Sequence, residues 1–140
     1  MGVKPFGIIS CGRSKLSHPA AARDIYTSGR FKMLRDTMER IPIPYLILSA
    51  KHGFLKPGTI ISPYDTSWDS PDHITVETLK DQIDLIPAGR LVIVAVMSYD
   101  YRDRIIEALQ DRDDLTINTD FCGNFSKYGK LKRWTPTGKQ

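Results

Sequence analysis

No stretch of this 140-residue chain approaches the ~20 consecutive apolar residues that a membrane-spanning helix needs, so a bilayer-crossing helix is excluded. The opening, Met1-Gly2-Val3-Lys4-Pro5, leads into an apolar run too short for a secretory signal. Position 6 is Phe, where a myristoylation signal carries Ser or Thr. The expected location is the cytoplasm, with no membrane partner. Cysteine is scarce: Cys11 and Cys122 lie far apart, match no zinc spacing and read as free thiols. His18, His52 and His73 lack the short pairing of a metal motif, so no metal and no other cofactor is implied. Glycine-rich phosphate loops are missing too. Cys11-Gly12-Arg13-Ser14-Lys15 has one Gly where a Walker A loop or a dinucleotide fingerprint needs two or three. Internal repeats and low-complexity tracts are absent, which excludes repeat architectures. Neither charge dominates: 20 Lys and Arg against 16 Asp and Glu leave +4, which permits a polyanionic partner without requiring one.

What is present is the ordinary make-up of one globular domain spanning residues 1–140, with 41% hydrophobic and 26% charged residues. Apolar and β-branched runs predict strands at 5–10, 45–49, 91–97 and 115–118. Leu91-Val-Ile-Val-Ala-Val-Met97 is continuously apolar, which predicts a strand covered on both faces. Helices are expected from about Ala20 toward Tyr26, over 30–40 with Phe31, Leu34 and Met38 at helical spacing, from Thr75 or Val76 to Ile86, and over 99–110. Pro42 and Pro44 stop the second of these. The loop 50–73 is long enough to carry function or hide short structure, and Thr59-Ile60-Ile61 reads as an extended piece within it. The order of elements predicts an α/β fold, a three-layer α/β/α sandwich around a mostly parallel sheet. The tail at about 120–140 interleaves Lys127, Lys130, Lys132 and Arg133 with Tyr128 and Trp134, a pattern suited to a polyanion with stackable bases or to a solvated terminus.

In a parallel α/β sheet the loops after the strands meet on one edge, where ligands bind. Two such loops stand out, Cys11–Lys15 and Ser49-Ala50-Lys51-His52-Gly53. Gly12 lets backbone approach a ligand, Ser49 supplies a hydroxyl, and Lys15 and Lys51 supply point charges. Arg23 can hold a phosphate bidentately or pair with Asp24, and Tyr26 can stack or sit in the core. His52 is the best acid–base candidate, and the neighbouring Lys51 favours its neutral form. Tyr64-Asp65, on the long loop, offers a stacking ring and a carboxylate able to activate water or stabilise an oxocarbenium ion; an Asp that caps a turn is the alternative. Ser98 and Arg102 flank the end of the third strand, where Ser98 is also a helix cap. Cys11, at a strand end, reads as an inert thiol or a nucleophile.

Taken together, Cys11 to Lys15, Ala20 to Ser28 with Phe31, Ile47 to Pro57 and Pro63 to Thr66 form a recognisable pattern. Through it the chain resembles a family of small, largely uncharacterised bacterial and phage domains. That family is distantly similar to the catalytic domain of archaeosine synthase, which acts on a deazaguanine base in tRNA, and to the uracil-DNA glycosylase superfamily. The resemblance implies a uracil-DNA-glycosylase-like sandwich and a site built from Cys11, Lys15, Arg23, Tyr26, Ser49, Lys51, His52, Tyr64 and Asp65. The expected function is hydrolysis of a nucleobase glycosidic bond in a nucleotide or nucleic acid, with Asp65 and His52 catalytic and the remaining residues, Gly12, Ser98 and Arg102 among them, binding substrate. The alternative is a non-catalytic nucleotide- or nucleic-acid-binding module, such as a phage accessory protein.

Overall fold

The apolar run Lys4–Ser10 forms β1, the middle strand of a five-stranded sheet. In the computed structural model, which describes residues 3–123 and 125–131, β1 pairs in parallel with β3 (Tyr45–Ser49) on one side and β6 (Leu91–Val96) on the other. Ile8 sets the register, opposite Leu46 and Ala95. β6 pairs in parallel with β7 (Leu115–Asn118), and β4 (Gly53–Leu55) closes the far edge antiparallel to β3. A separate two-stranded ladder joins β2 (Ala20–Ala21) to β5 (Ile60–Ile61).

Alternation along each central strand feeds two cores. Ile9, Ile47, Val94 and Val96 pack with Ile25 of α1 (Ala22–Ile25), with Phe31, Leu34 and Met38 of α2 (Gly29–Arg40), and with Tyr128 of α5 (Phe125–Lys130). Ile8, Leu46, Leu48, Ile93 and Ala95 pack with Leu79 of α3 (Val76–Asp81) and with Ile105, Ala108 and Leu109 of α4 (Tyr99–Leu109). Helices therefore cover both faces of a mostly parallel sheet, as the unbroken apolar run at 91–97 predicts. Among the described residues no helix is long and apolar enough to cross a membrane.

Three expectations change. The helix expected from Ala20 begins at Ala22, because Ala20 and Ala21 pair with β5, while the amides of Ala22 and Arg23 donate to the carbonyls of Thr59 and Pro57. The helix starting at Val76 ends at Asp81 and gives way to a 3-10 turn at Ile83–Leu85. The long loop also contains β4, too short for any periodicity to register. At the C-terminus, Lys127, Tyr128 and Lys130 lie on α5, while Lys132, Arg133 and Trp134 of the expected basic aromatic tail lie outside the described residues.

A cluster around Arg23 and Glu39 ties α1, α2 and β3 together. Arg23 donates to both oxygens of Glu39 (2.9 and 2.7 Å) and to Asp24 (2.8 Å), and Tyr45 donates to Glu39 (2.6 Å). The bidentate guanidinium, aided by Tyr45, holds the Glu39 carboxyl down at about 2. A depressed carboxylate pKa contributes stability that is complete above the unfolded value of about 4.3 and is lost as pH falls toward the folded value. Glu39→Gln is therefore expected to lower the urea midpoint at neutral pH. The gap from the parent protein should close between about pH 4.3 and about pH 2, as unfolding curves across that range will show.

Candidate functional site

β1 is followed in the parallel order by β3 on one side, and the chain then crosses to β6 on the other. At such a switch the connections leave in opposite directions and a crevice opens beyond the carboxyl ends of the strands. Here it is a cleft of about 670 Å³ lined by Ser10, Cys11, Gly12, Arg13 and Lys15 after β1, by Ser98 and Tyr101 after β6, by Tyr64, Asp65, Thr66 and Ser67 from the long loop, and by Arg30 and Tyr128 from the helices.

Arg30 is fixed within it. From the first turn of α2 its guanidinium donates to Ser10 Oγ (3.0 Å) and to the Cys11 carbonyl (3.1 Å). Beside it, Cys11 Sγ and Tyr101 Oη share a hydrogen bond at 3.4 Å. Burial raises the Tyr101 phenol, so it stays protonated and serves as a neutral hydrogen-bonding wall. Gly12 leaves room for this corner: a Cβ there would stand 3.1 Å from Ser28 Oγ, the side chain that caps α2 by accepting from Phe31 N.

Lys15 is held by backbone. The segment carrying it is laid against the end of α1: Leu16 N donates to Ile25 O and Thr27 N to Ser14 O (2.9 Å each), and Lys15 pairs with Tyr26. Its ammonium donates to the Arg13 carbonyl (2.9 Å) and stands 4.2 Å from the centre of the Tyr64 ring. Burial pushes the Lys15 ammonium below its usual value, while Cys11 and Asp65 act in the opposite direction. Among the described residues, no carboxylate forms an ion pair with Arg13, Lys15 or Arg30. Three cations thus face one lining carboxylate, Asp65.

Tyr64 joins the two loops. Its hydroxyl bonds those of Tyr26 (2.5 Å) and Ser49 (2.7 Å), and Ser49 Oγ also accepts from the amides of Lys51 and His52 (3.1 Å each). Burial lifts both phenols, so the chain is one of neutral hydroxyls. Tyr64→Phe would leave the fully buried Tyr26 hydroxyl without its partner. The expected cost is about 1–3 kcal/mol, readable from urea unfolding.

The residues singled out in the sequence therefore separate. Cys11, Gly12, Lys15, Tyr64, Asp65 and Ser98 converge on the cleft. Ser98 points its side chain at no helix amide, so the capping expected of it is not made. Tyr26 and Ser49 are wholly buried and act behind Tyr64. His52 does not line the cleft. Its ring meets Tyr64 edge-on with 5.2 Å between centres, its Nε2 is buried without a hydrogen-bond partner among the described residues, and burial together with Lys51 depresses its pKa, so it is neutral. Lys51 faces a neighbouring groove. Arg23 is committed to Glu39 and Asp24, and Arg102 donates to Asp103 (3.0 and 2.7 Å) while lying over the Tyr99 ring (4.3 Å), so neither reaches the cleft. Sequence reasoning did not single out Arg30, Ser67 or Tyr101; Arg13 and Thr66 lay within the blocks Cys11 to Lys15 and Pro63 to Thr66, and Tyr128 within the basic aromatic tail marked for stacking. Of the three not singled out, Arg30 carried a signal, as a cation two residues past the N-cap Ser28. Among the described residues no group of three or more His, Cys, Asp or Glu is placed to hold a metal ion.

The chain is similar to the uncharacterized protein YfjM of Bacillus subtilis (strain 168), at 32% identity over 89 residues, which covers 57% of this chain and 59% of that protein. The match thus spans under two thirds of the relative's length. A family match runs over residues 7–123, from within β1 to just past β7, and includes every cleft residue except Tyr128. With most of its length matched, this chain belongs to the family of unknown function DUF6884.

Proposed function

We propose that the cleft binds a nucleotide unit and hydrolyses its N-glycosidic bond. One observation carries this reading: three cations without ion-pair partners among the described residues, three tyrosines and a single carboxylate line one crevice at the switch point of the sheet. Guanidinium and ammonium groups suit a phosphate, and the tyrosine rings suit the faces of a base. Arg30, already oriented by Ser10 and Cys11, holds the phosphate together with Lys15 and Arg13. Tyr101, Tyr128 and Tyr64 wall the base. Asp65 faces the sugar. As the bond from C1′ to the base nitrogen breaks, its carboxylate stabilises the oxocarbenium character and takes a proton from the attacking water. The hydroxyl goes to C1′, and the proton leaves with the base. His52, behind Tyr64, positions that ring and does not touch substrate.

The likeness to the archaeosine synthase catalytic domain and the uracil-DNA glycosylase superfamily supports the same reading, and a mostly parallel sheet covered by helices on both faces suits a uracil-DNA-glycosylase-like sandwich. Fold alone is weak support, because one fold hosts many chemistries. The test is release of free base, followed by chromatography, from single- and double-stranded DNA, RNA and free nucleotides incubated with the full chain. The expected result is base released from at least one of them, inhibited by inorganic phosphate. No release from any, with Asp65→Asn indistinguishable from the parent, would overturn hydrolysis. Salt-sensitive binding without turnover would then identify a binding module.

A further inference from the structure

The cleft is not a closed cup. Tyr64 and Asp65 form one of its walls, and the same two residues also line two smaller grooves, of about 250 Å³ and 380 Å³. Arg13 and Lys15 stand in the first groove, and Lys51 and Thr66 in the second. The Tyr64 ring organises a cation for each: the Lys15 ammonium lies 4.2 Å from its centre and the Lys51 ammonium 5.7 Å. Asp72 also lines the second groove, where it accepts a hydrogen bond from Thr66 Oγ1 at 3.2 Å. Lys51 forms no ion pair with it or with any other described carboxylate.

A free nucleotide needs one anion site. It gives no reason for a second groove, with a separate cation, beyond the carboxylate. A strand does, because each nucleotide is flanked by a phosphate on either side. From this geometry we infer that the preferred ligand is a single-stranded polynucleotide that crosses the Tyr64–Asp65 wall. One nucleotide enters the cleft, the phosphate on one side lies toward Arg13 and Lys15, and the next phosphate lies toward Lys51. A single strand can turn a base into the cleft without breaking base pairs, whereas a duplex must first unstack and unpair it. This inference rests on reading the cleft as a nucleotide site, and it is independent of whether the bond is cut.

The experiment is a fluorescence-anisotropy titration of the full chain with a labelled single-stranded hexanucleotide, in competition with the unlabelled hexanucleotide, its duplex and a 5′-mononucleotide, at several salt concentrations. The single strand should bind at least tenfold more tightly than the mononucleotide, and more tightly than the duplex. Each contacted phosphate of a single strand contributes about −0.7 to the slope of log affinity against log salt. Lys51→Ala should make that slope shallower by about 0.7 and lower the hexanucleotide-to-mononucleotide affinity ratio, since only the longer ligand reaches that cation. Equal affinity for mononucleotide and hexanucleotide, or an unchanged slope in Lys51→Ala, would overturn the strand-binding inference. Absence of base release with the Lys51 effect intact would overturn only the hydrolysis reading.

Discussion

Asp65→Asn is expected to lower the rate of base release by about 10²–10⁴-fold, the range over which a positioned acid–base group contributes. The substitution keeps the shape of the side chain and removes its charge and basicity. Asp65 is exposed on the cleft wall, and no hydrogen bond of its side chain supports the fold among the described residues. Stability should therefore shift by no more than about 0.5 kcal/mol. A large kinetic loss with an unchanged unfolding curve would place the carboxylate in the chemistry. A further effect follows from its neighbour. Asp65 helps to hold the Lys15 proton against burial, so in Asp65→Asn the ammonium deprotonates at lower pH and the alkaline limb of substrate binding moves down. Equal rates for Asp65→Asn and the parent would end this assignment.

The largest expected effect on stability belongs to Gly53→Ala. Gly53 has a φ of +76°, in the left-handed region where a Cβ costs roughly 1–2 kcal/mol. A Cβ there would also collide with the carboxamide of Gln82. That carboxamide spans the turn: Oε1 accepts from Phe54 N (2.8 Å) and Nε2 donates to the His52 carbonyl (2.9 Å). Displacing it loses two hydrogen bonds to backbone, worth about 0.5–1.5 kcal/mol each. The sum is on the order of 3 kcal/mol, and for a domain of this size a fall in melting temperature of about 10 °C. Gln82→Ala separates the two contributions, since it removes the hydrogen bonds and leaves the backbone unstrained. It should reproduce about half of the loss. A melting temperature for Gly53→Ala within about 2 °C of the parent would show that the turn relaxes freely.

The central sheet was legible because its strands are unbroken apolar runs and its helices have the matching period. Ile8, Leu46 and Ile93 feed one core and Ile9, Ile47 and Val94 the other, an alternation implicit in runs apolar at every position. β5 coincides with the extended piece expected at Thr59-Ile60-Ile61; the three-residue β4 was not read as a strand because it is too short for periodicity to register, and the two-residue β2 because its pairing depends on the distant β5. The cleft was half legible. Loops after strands β1, β3 and β6 pointed to one edge, and residues of the first and third, with Tyr64-Asp65, meet there. The failures share a cause. Arg23, Arg102 and Arg30 are alike as letters, and only the acids near them decide which remain available: Glu39 and Asp24 take the first, Asp103 the second, and none of the described carboxylates the third. His52 looked like a site residue because it follows a buried strand. The turn that holds it, fastened by Ser49 and Gln82, directs its ring at Tyr64.

The pairing of Lys15 with Tyr26 bears on how a ligand is received. A cation on a long free loop would surrender backbone freedom at the moment of contact. Here the loop is already laid along residues 25–27 at both Ser14 and Leu16, and Arg30 rises from a capped helix. That freedom is lost during folding instead, so association needs little rearrangement of the chain. Differences in affinity among related ligands should then arise mainly from how long each one stays.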